Sequence, residues 1–128
     1  MDDLVTFLRA RLKEDADYAR TAFADHNDAG PKWYEQWSGA LNIGEEEDLV
    51  LTNDSAISRH MERHDPERVL AEVEAKLAII DLMERALQFA EGDSEVDHYG
   101  ALGNAEEALS LLARPFAGHP DYRDDWRP

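Results

Sequence analysis

Apolar residues recur at three- and four-residue steps from the start of the chain. Leu4, Val5, Leu8, Leu12, Ala16, Ala19, Ala22 and Phe23 fall, at 100° per residue, within one stripe about 120° wide. Arg9, Lys13 and Asp17 lie off it. The pattern predicts a helix over about 3–24, capped by Asp2 or Asp3 and ended by the run from His26 to Pro31, where Gly30 and Pro31 break the helical repeat.

The period then changes. Trp33, Glu35 and Trp37 alternate in steps of two, and Leu49, Val50, Leu51 and Thr52 form a short β-favouring run. Four consecutive acids, Glu45 to Asp48, lie between them. These features predict a hairpin over about 33–53 with a long acidic connection. Two strands are marginal in water, so the hairpin must lean on helices.

Asn53, Asp54 and Ser55 offer caps for a short helix over about 54–64. Asp65-Pro66 is a fresh start, with an acceptor at the cap and Pro at the first helical position. The helix it opens, about 66–91, has Val69, Val73, Ile80 and Leu87 as its central stripe. It is apolar behind that stripe as well, at Ile79, Leu82, Ala86 and Phe89, so it needs cover on more than one side. A last helix is predicted over about 105–113, capped by Asn104 and ended by Pro115. The expected fold is mainly α: one domain of three to four helices around residues 66–91, with the hairpin packed at one side. Residues 116–128 carry Phe116, Tyr122 and Trp126, more aromatic than a disordered tail. They are expected to strap back over the exposed strip of the central helix, the alternative cover being a second subunit.

Charge narrows the function classes. The 128 residues hold 29 acidic and 13 basic side chains, a net charge of -16. Such a surface repels nucleic-acid phosphates and anionic lipid and suits a basic protein partner. The absence of cysteine excludes disulfides, thiol catalysis and thiolate metal sites, and fits a cytoplasmic setting. No apolar run is long enough to span a bilayer. No phosphate-binding glycine loop or nucleophile elbow is present, and carboxylate pairs mean little among so many acids.

Three candidate sites remain. His60 and His64 are four apart, so their imidazoles share one helix face, the half-site spacing of a helical zinc pair. Asp65, His98 or His119 would have to complete it. The plainer reading is a helix C-terminus carrying two histidines, and on that reading there is no cofactor. Trp33, Tyr34 and Trp37 sit beside the acidic run and are read first as hairpin core, second as a partner surface. Tyr122 and Trp126 are read first as strap residues, second as partner contacts.

Three segments occur in a recognisable order: Met1-Asp-Asp-Leu-Val-Thr-Phe-Leu-Arg-Ala-Arg-Leu12, then His60-x-x-x-His64-Asp-Pro-x-Arg-Val-Leu-Ala-Glu-Val-Glu-Ala-Lys76, then His119-Pro-Asp-Tyr-Arg-Asp-Asp-Trp-Arg-Pro128. With them the chain resembles a family of short actinobacterial and actinophage proteins of unknown function. The resemblance implies a source and a cytoplasmic setting, not a mechanism. Many such proteins carry a cysteine-containing stretch before the last helix, and residues 92–104 here have none. The reading is therefore a non-enzymatic binding or accessory protein. Alternatives are a metal-binding protein centred on His60 and His64, or an acidic nucleic-acid decoy from a mobile element.

Overall fold

A computed structural model describes residues 1–24, 30–44, 49–92 and 100–128. The predicted helix end at residues 26–29, the acidic run 45–48, and the acid-rich stretch with His98 lie outside the described residues. Among the described residues the chain is mainly helical, with a small antiparallel sheet. The order is α1 (Asp2–Ala24), β1 (Tyr34–Trp37), β2 (Ala40–Asn42), β3 (Leu49–Leu51), α2 (Ser55–Arg63), α3 (Pro66–Gly92) and α4 (Ala101–Ala113), then single 3-10 turns at Arg114–Phe116 and Asp124–Trp126. The chain forms two compact units, one of Met1–Leu12 with Glu74–Pro128, the other Lys13–Val73.

The first unit is helical. Its core is Leu4, Val5, Phe7, Leu8 and Leu12 of α1, Ile80 and Leu87 of α3, Ala105, Leu109 and Ala113 of α4, and Trp126. Arg9 bridges helices by ion pairs to Asp81 (2.8 Å) and Glu84 (2.7 Å). The hydrogen bonds to Glu84 and then Asp81 hold its guanidinium protonated even more firmly than usual.

Residues 116–126 gather on Phe7. Its ring centroid lies 6.3 Å from Phe116, 5.6 Å from His119, 6.0 Å from Tyr122 and 5.1 Å from Trp126. Arg11 stacks on the same ring at 5.2 Å and points Nη1 at His119 Nδ1 (2.8 Å), while Asp121 lies 3.7 Å away. Arg123 ties the end of the chain to Asp3 at 3.1 Å. The sequence reading sent this segment to the α3 strip. Instead, Ile79, Leu82 and Phe89 stay exposed while the aromatics cluster on Phe7. A ring cluster closed by a stacked guanidinium gives these aromatics edge-to-face and cation–π contacts that the open strip of Ile79, Leu82 and Phe89 does not offer.

The start of α4 also differs from expectation. The helix begins at Ala101, and Asn104 lies within its first turn, its N–H donating to the Gly100 carbonyl (2.8 Å). Gly100 takes the cap position at φ 69°.

The second unit is built on the sheet, whose order is β1-β2-β3, antiparallel throughout. The predicted hairpin is thus a three-stranded meander. Ser38 and Gly39 make the tight turn between Trp37 and Ala40, Gly39 supplying φ 79°. The Gly39 carbonyl accepts Thr52 N (2.7 Å), which docks the turn on the segment leading into α2. Asp54 caps α2 through Ala56 N (2.8 Å).

Asp65 is buried and does two jobs. Oδ1 accepts Arg68 N (2.9 Å), capping α3 ahead of Pro66, and Oδ2 accepts Trp33 N (3.1 Å). Glu62 similarly accepts Glu35 N (3.2 Å). Two carboxylates therefore occupy the N–H groups of Glu35 in β1 and of Trp33 just before it, on the edge where another strand would otherwise pair.

Candidate functional site

The strand register decides which side chains share a face. Glu35 is opposite Leu41, and Leu41 is opposite Val50, on the side where α2 packs. Tyr34 is opposite Asn42, Trp37 opposite Ala40, and Ala40 opposite Leu51, on the other side. A bulge between Glu35 and Trp37 breaks the alternation, so these two residues point to opposite faces. That is why Trp37, read from its period-two spacing as core, is 52% exposed instead.

The outer face is an aromatic and aliphatic platform. Trp37 shares it with half-exposed Tyr34 and with Leu51, 67% exposed. Buried Asn42 organises it: Nδ2 donates to Tyr34 Oη (3.0 Å) and Gln36 Oε1 (3.2 Å), and Oδ1 accepts Gly44 N (3.0 Å). The hydroxyl of Tyr34 is thereby anchored, which fixes its ring on this face.

On the inner face Glu35 latches β1 to α2. Its side chain is 14% exposed and accepts the hydroxyls of Ser58 and Ser55 and, at 3.4 Å, the Arg59 guanidinium. The Ser58 hydrogen bond, helped by Ser55 and Arg59, keeps the carboxyl below its ordinary value of 4.5 against the opposing effect of burial. A lowered carboxyl pKa means that its stabilisation is complete above the ordinary value and is lost as the pH falls through the folded one. As the pH falls below the ordinary carboxyl value, Glu35→Gln is therefore expected to flatten the acid sensitivity of the second unit's melting relative to the unaltered protein. Parallel pH profiles for both would show that the latch does not titrate with folding.

His60 lies on α2, and His64 caps its end, with His64 N donating to His60 O (3.1 Å). The two rings are 4.5 Å apart and both are exposed. The acids near them are committed elsewhere: Glu62 to the β1 edge, and both oxygens of Asp65 to backbone N–H groups. Among the described residues no group of three or more His, Asp or Glu side chains is placed to hold a metal. His119 is engaged with Arg11 and Asp121 N.

The four candidate partner residues divide. Trp37 is available at the surface, whereas Trp126 is buried at 7% and Tyr122 is half-buried. Trp33 is half-buried, its indole N–H buried without a hydrogen-bond partner among the described residues. The platform residues Leu51 and Asn42, and the latch at Glu35, went unread in the sequence. Phe7, the centre of the ring cluster, sits off the stripe that marked α1. Of the surface hollows, one on α1 is lined by Glu14, Asp17, Tyr18 and Thr21, but the Thr21 hydroxyl is given to the Asp17 carbonyl (2.7 Å). That arrangement pairs no nucleophile with a base.

Against known protein families, the model of a family of unknown function, DUF6221, matches residues 1–128. The chain belongs to DUF6221. No curated protein and no solved structure matches it. No helix among the described residues is long and apolar enough to cross a membrane.

Proposed function

We propose that this protein is a non-catalytic binding module whose outer sheet face engages a basic segment of a protein partner in the cytoplasm. The exposed platform of Tyr34, Trp37 and Leu51 carries the reading. It sits on a sheet whose other side is filled by α2, so the platform is not needed for packing there. Trp and Tyr favour interfaces, and their faces attract lysine and arginine cations. The chain's charge of -16 adds long-range attraction for such a segment, and the sequence joins β2 to β3 through the four acids Glu45–Asp48. An actinobacterium or its phage, the source implied by the sequence resemblance, is where the natural partner would be sought.

The test is binding of lysine- and arginine-rich peptides, measured by calorimetry, to the intact protein and to Trp37→Ala. Loss of one cation–π contact at a partly desolvated site, about 1–2 kcal/mol, should weaken binding roughly tenfold. Binding should also fall as salt rises. Equal affinity in the variant would remove the platform from the function.

A further inference from the structure

The exposed side of α3 has a regular period. Among the exposed positions from Ala75 on, which also include Ile79, Asp81 and Gln88, one row steps by three, four, three and four residues: Ala75, Ala78, Leu82, Arg85, Phe89. This is the seven-residue repeat of a coiled-coil seam. Ile80 and Leu87, the buried residues of this stretch, lie on the opposite side. Leu82 is 53% exposed and Phe89 67% exposed, with Ile79 flanking them. Four of the five residues in this row are apolar, and the row lies diametrically opposite the core face.

We propose that the seam is a self-association surface, and that a second copy of this chain packs its α3 antiparallel upon it. Size and charge along the seam argue for this occupant and orientation. The small residues Ala75 and Ala78 come first, and the large ones, Leu82, Arg85 and Phe89, follow. An antiparallel pair centred on Ile80 sets Leu82 against the partner's Ala78 and Arg85 against the partner's Ala75, twice each by symmetry. Each layer then joins one large and one small side chain, as a well-filled interface requires. Arg85 also arrives beside the partner's exposed Glu74, giving two ion pairs across the seam. A parallel pair would stack Arg85 on Arg85 and leave the alanine layers empty. Asp81 flanks the two-fold position, where like charges would meet, and it is already paired with Arg9 at 2.8 Å. With a net charge of -16 on each copy, the two chains repel at long range, so the dimer should tighten as salt is added.

The experiment uses the full-length chain in analytical ultracentrifugation and bifunctional cross-linking. The intact protein should dimerise. Leu82→Glu places a charge in the seam and should weaken the dimer about a hundredfold, while circular dichroism shows its helix content intact. Because the chain has no cysteine, single cysteines report orientation cleanly. In the antiparallel pair Ile79→Cys lies near its own copy, so a short bis-maleimide should join two chains. Phe89→Cys then lies about 27 Å from its copy, eighteen residues away along the helix at 1.5 Å each, and should stay unjoined. A protein that is monomeric at every concentration to its solubility limit overturns the proposal. So does a dimer indifferent to Leu82→Glu, or equal cross-linking at the two cysteines. These residues are separate from Trp37, so failure here leaves the binding platform standing, and the reverse also holds.

Discussion

Trp126→Ala is expected to destabilise the first unit by about 3–5 kcal/mol, the usual cost of emptying a buried aromatic site. For a domain of this size that is a fall in melting temperature of roughly 10 °C or more. The indole is buried, sits 5.1 Å from Phe7 and 5.8 Å from Tyr122, and carries the Arg123 guanidinium at 5.5 Å. Truncation leaves Phe7 without Phe116, His119 and Tyr122 as well. Deleting residues 116–128 should therefore cost at least as much and expose apolar surface on α1. Thermal melting with light scattering separates lost stability from association. A Trp126→Ala protein melting within about 2 °C of the original would mean that the cluster contributes little burial energy. Trp126→Phe should recover most of the loss, since volume and ring contacts are largely kept.

The second large effect comes from adding one methyl group. Gly39→Ala forces a side chain into the left-handed region at φ 79°, costing about 1–2 kcal/mol. The new Cβ would also meet backbone, 3.0 Å from Asp54 N and 3.1 Å from Asn53 Cα, which cannot swing aside as a side chain would. With overpacking at about 1–3 kcal/mol, the sum is about 2–5 kcal/mol, centred on the turn that docks β1 and β2 on Thr52. Gly103→Ala makes the same chemical change with the opposite expected sign. Gly103 lies inside α4 with nothing within 4 Å of a built Cβ, so alanine there should stabilise by about 0.5–1 kcal/mol. Chemical denaturation of the two variants side by side checks both. Equal effects would mean that backbone conformation at residue 39 is not what the glycine supplies.

The long helices were legible because their signal is local. The three- and four-residue spacing of Leu4, Leu8 and Leu12, and the Asp65-Pro66 start of α3, need no knowledge of distant residues. β2 was not legible. Ala40, Leu41 and Asn42 make a three-residue strand, and alanine and asparagine both disfavour strands. Its existence depends on the Ser38–Gly39 turn and on pairing with β3. The bulge at Gln36 is equally invisible to a period-two reading, and it reverses the side on which Trp37 appears. The start of α4 is not legible because Gly100 and Gly103 both resemble helix breakers, although a single glycine within a helix costs only about 1 kcal/mol. The Glu35 latch was hidden for another reason. With 29 acids in the chain, nothing in the sequence distinguishes the carboxylate that Ser58 and Ser55 will hold.

The carboxylates that occupy the edge of β1 are also late arrivals during synthesis. Glu62 lies 27 residues after the backbone N–H it accepts, and Asp65 lies 32 residues after its own. A chain emerging from the ribosome at about 5–20 residues per second therefore presents β1 for roughly 1.5–6 s before either guard leaves the exit tunnel. During that interval the strand's outer N–H groups are open to any neighbouring extended segment, including β1 of a chain on the next ribosome of the same message. The nascent protein is thus most vulnerable to misassembly before α2 has emerged, and slowing elongation while residues 37–65 are leaving the tunnel lengthens that exposure.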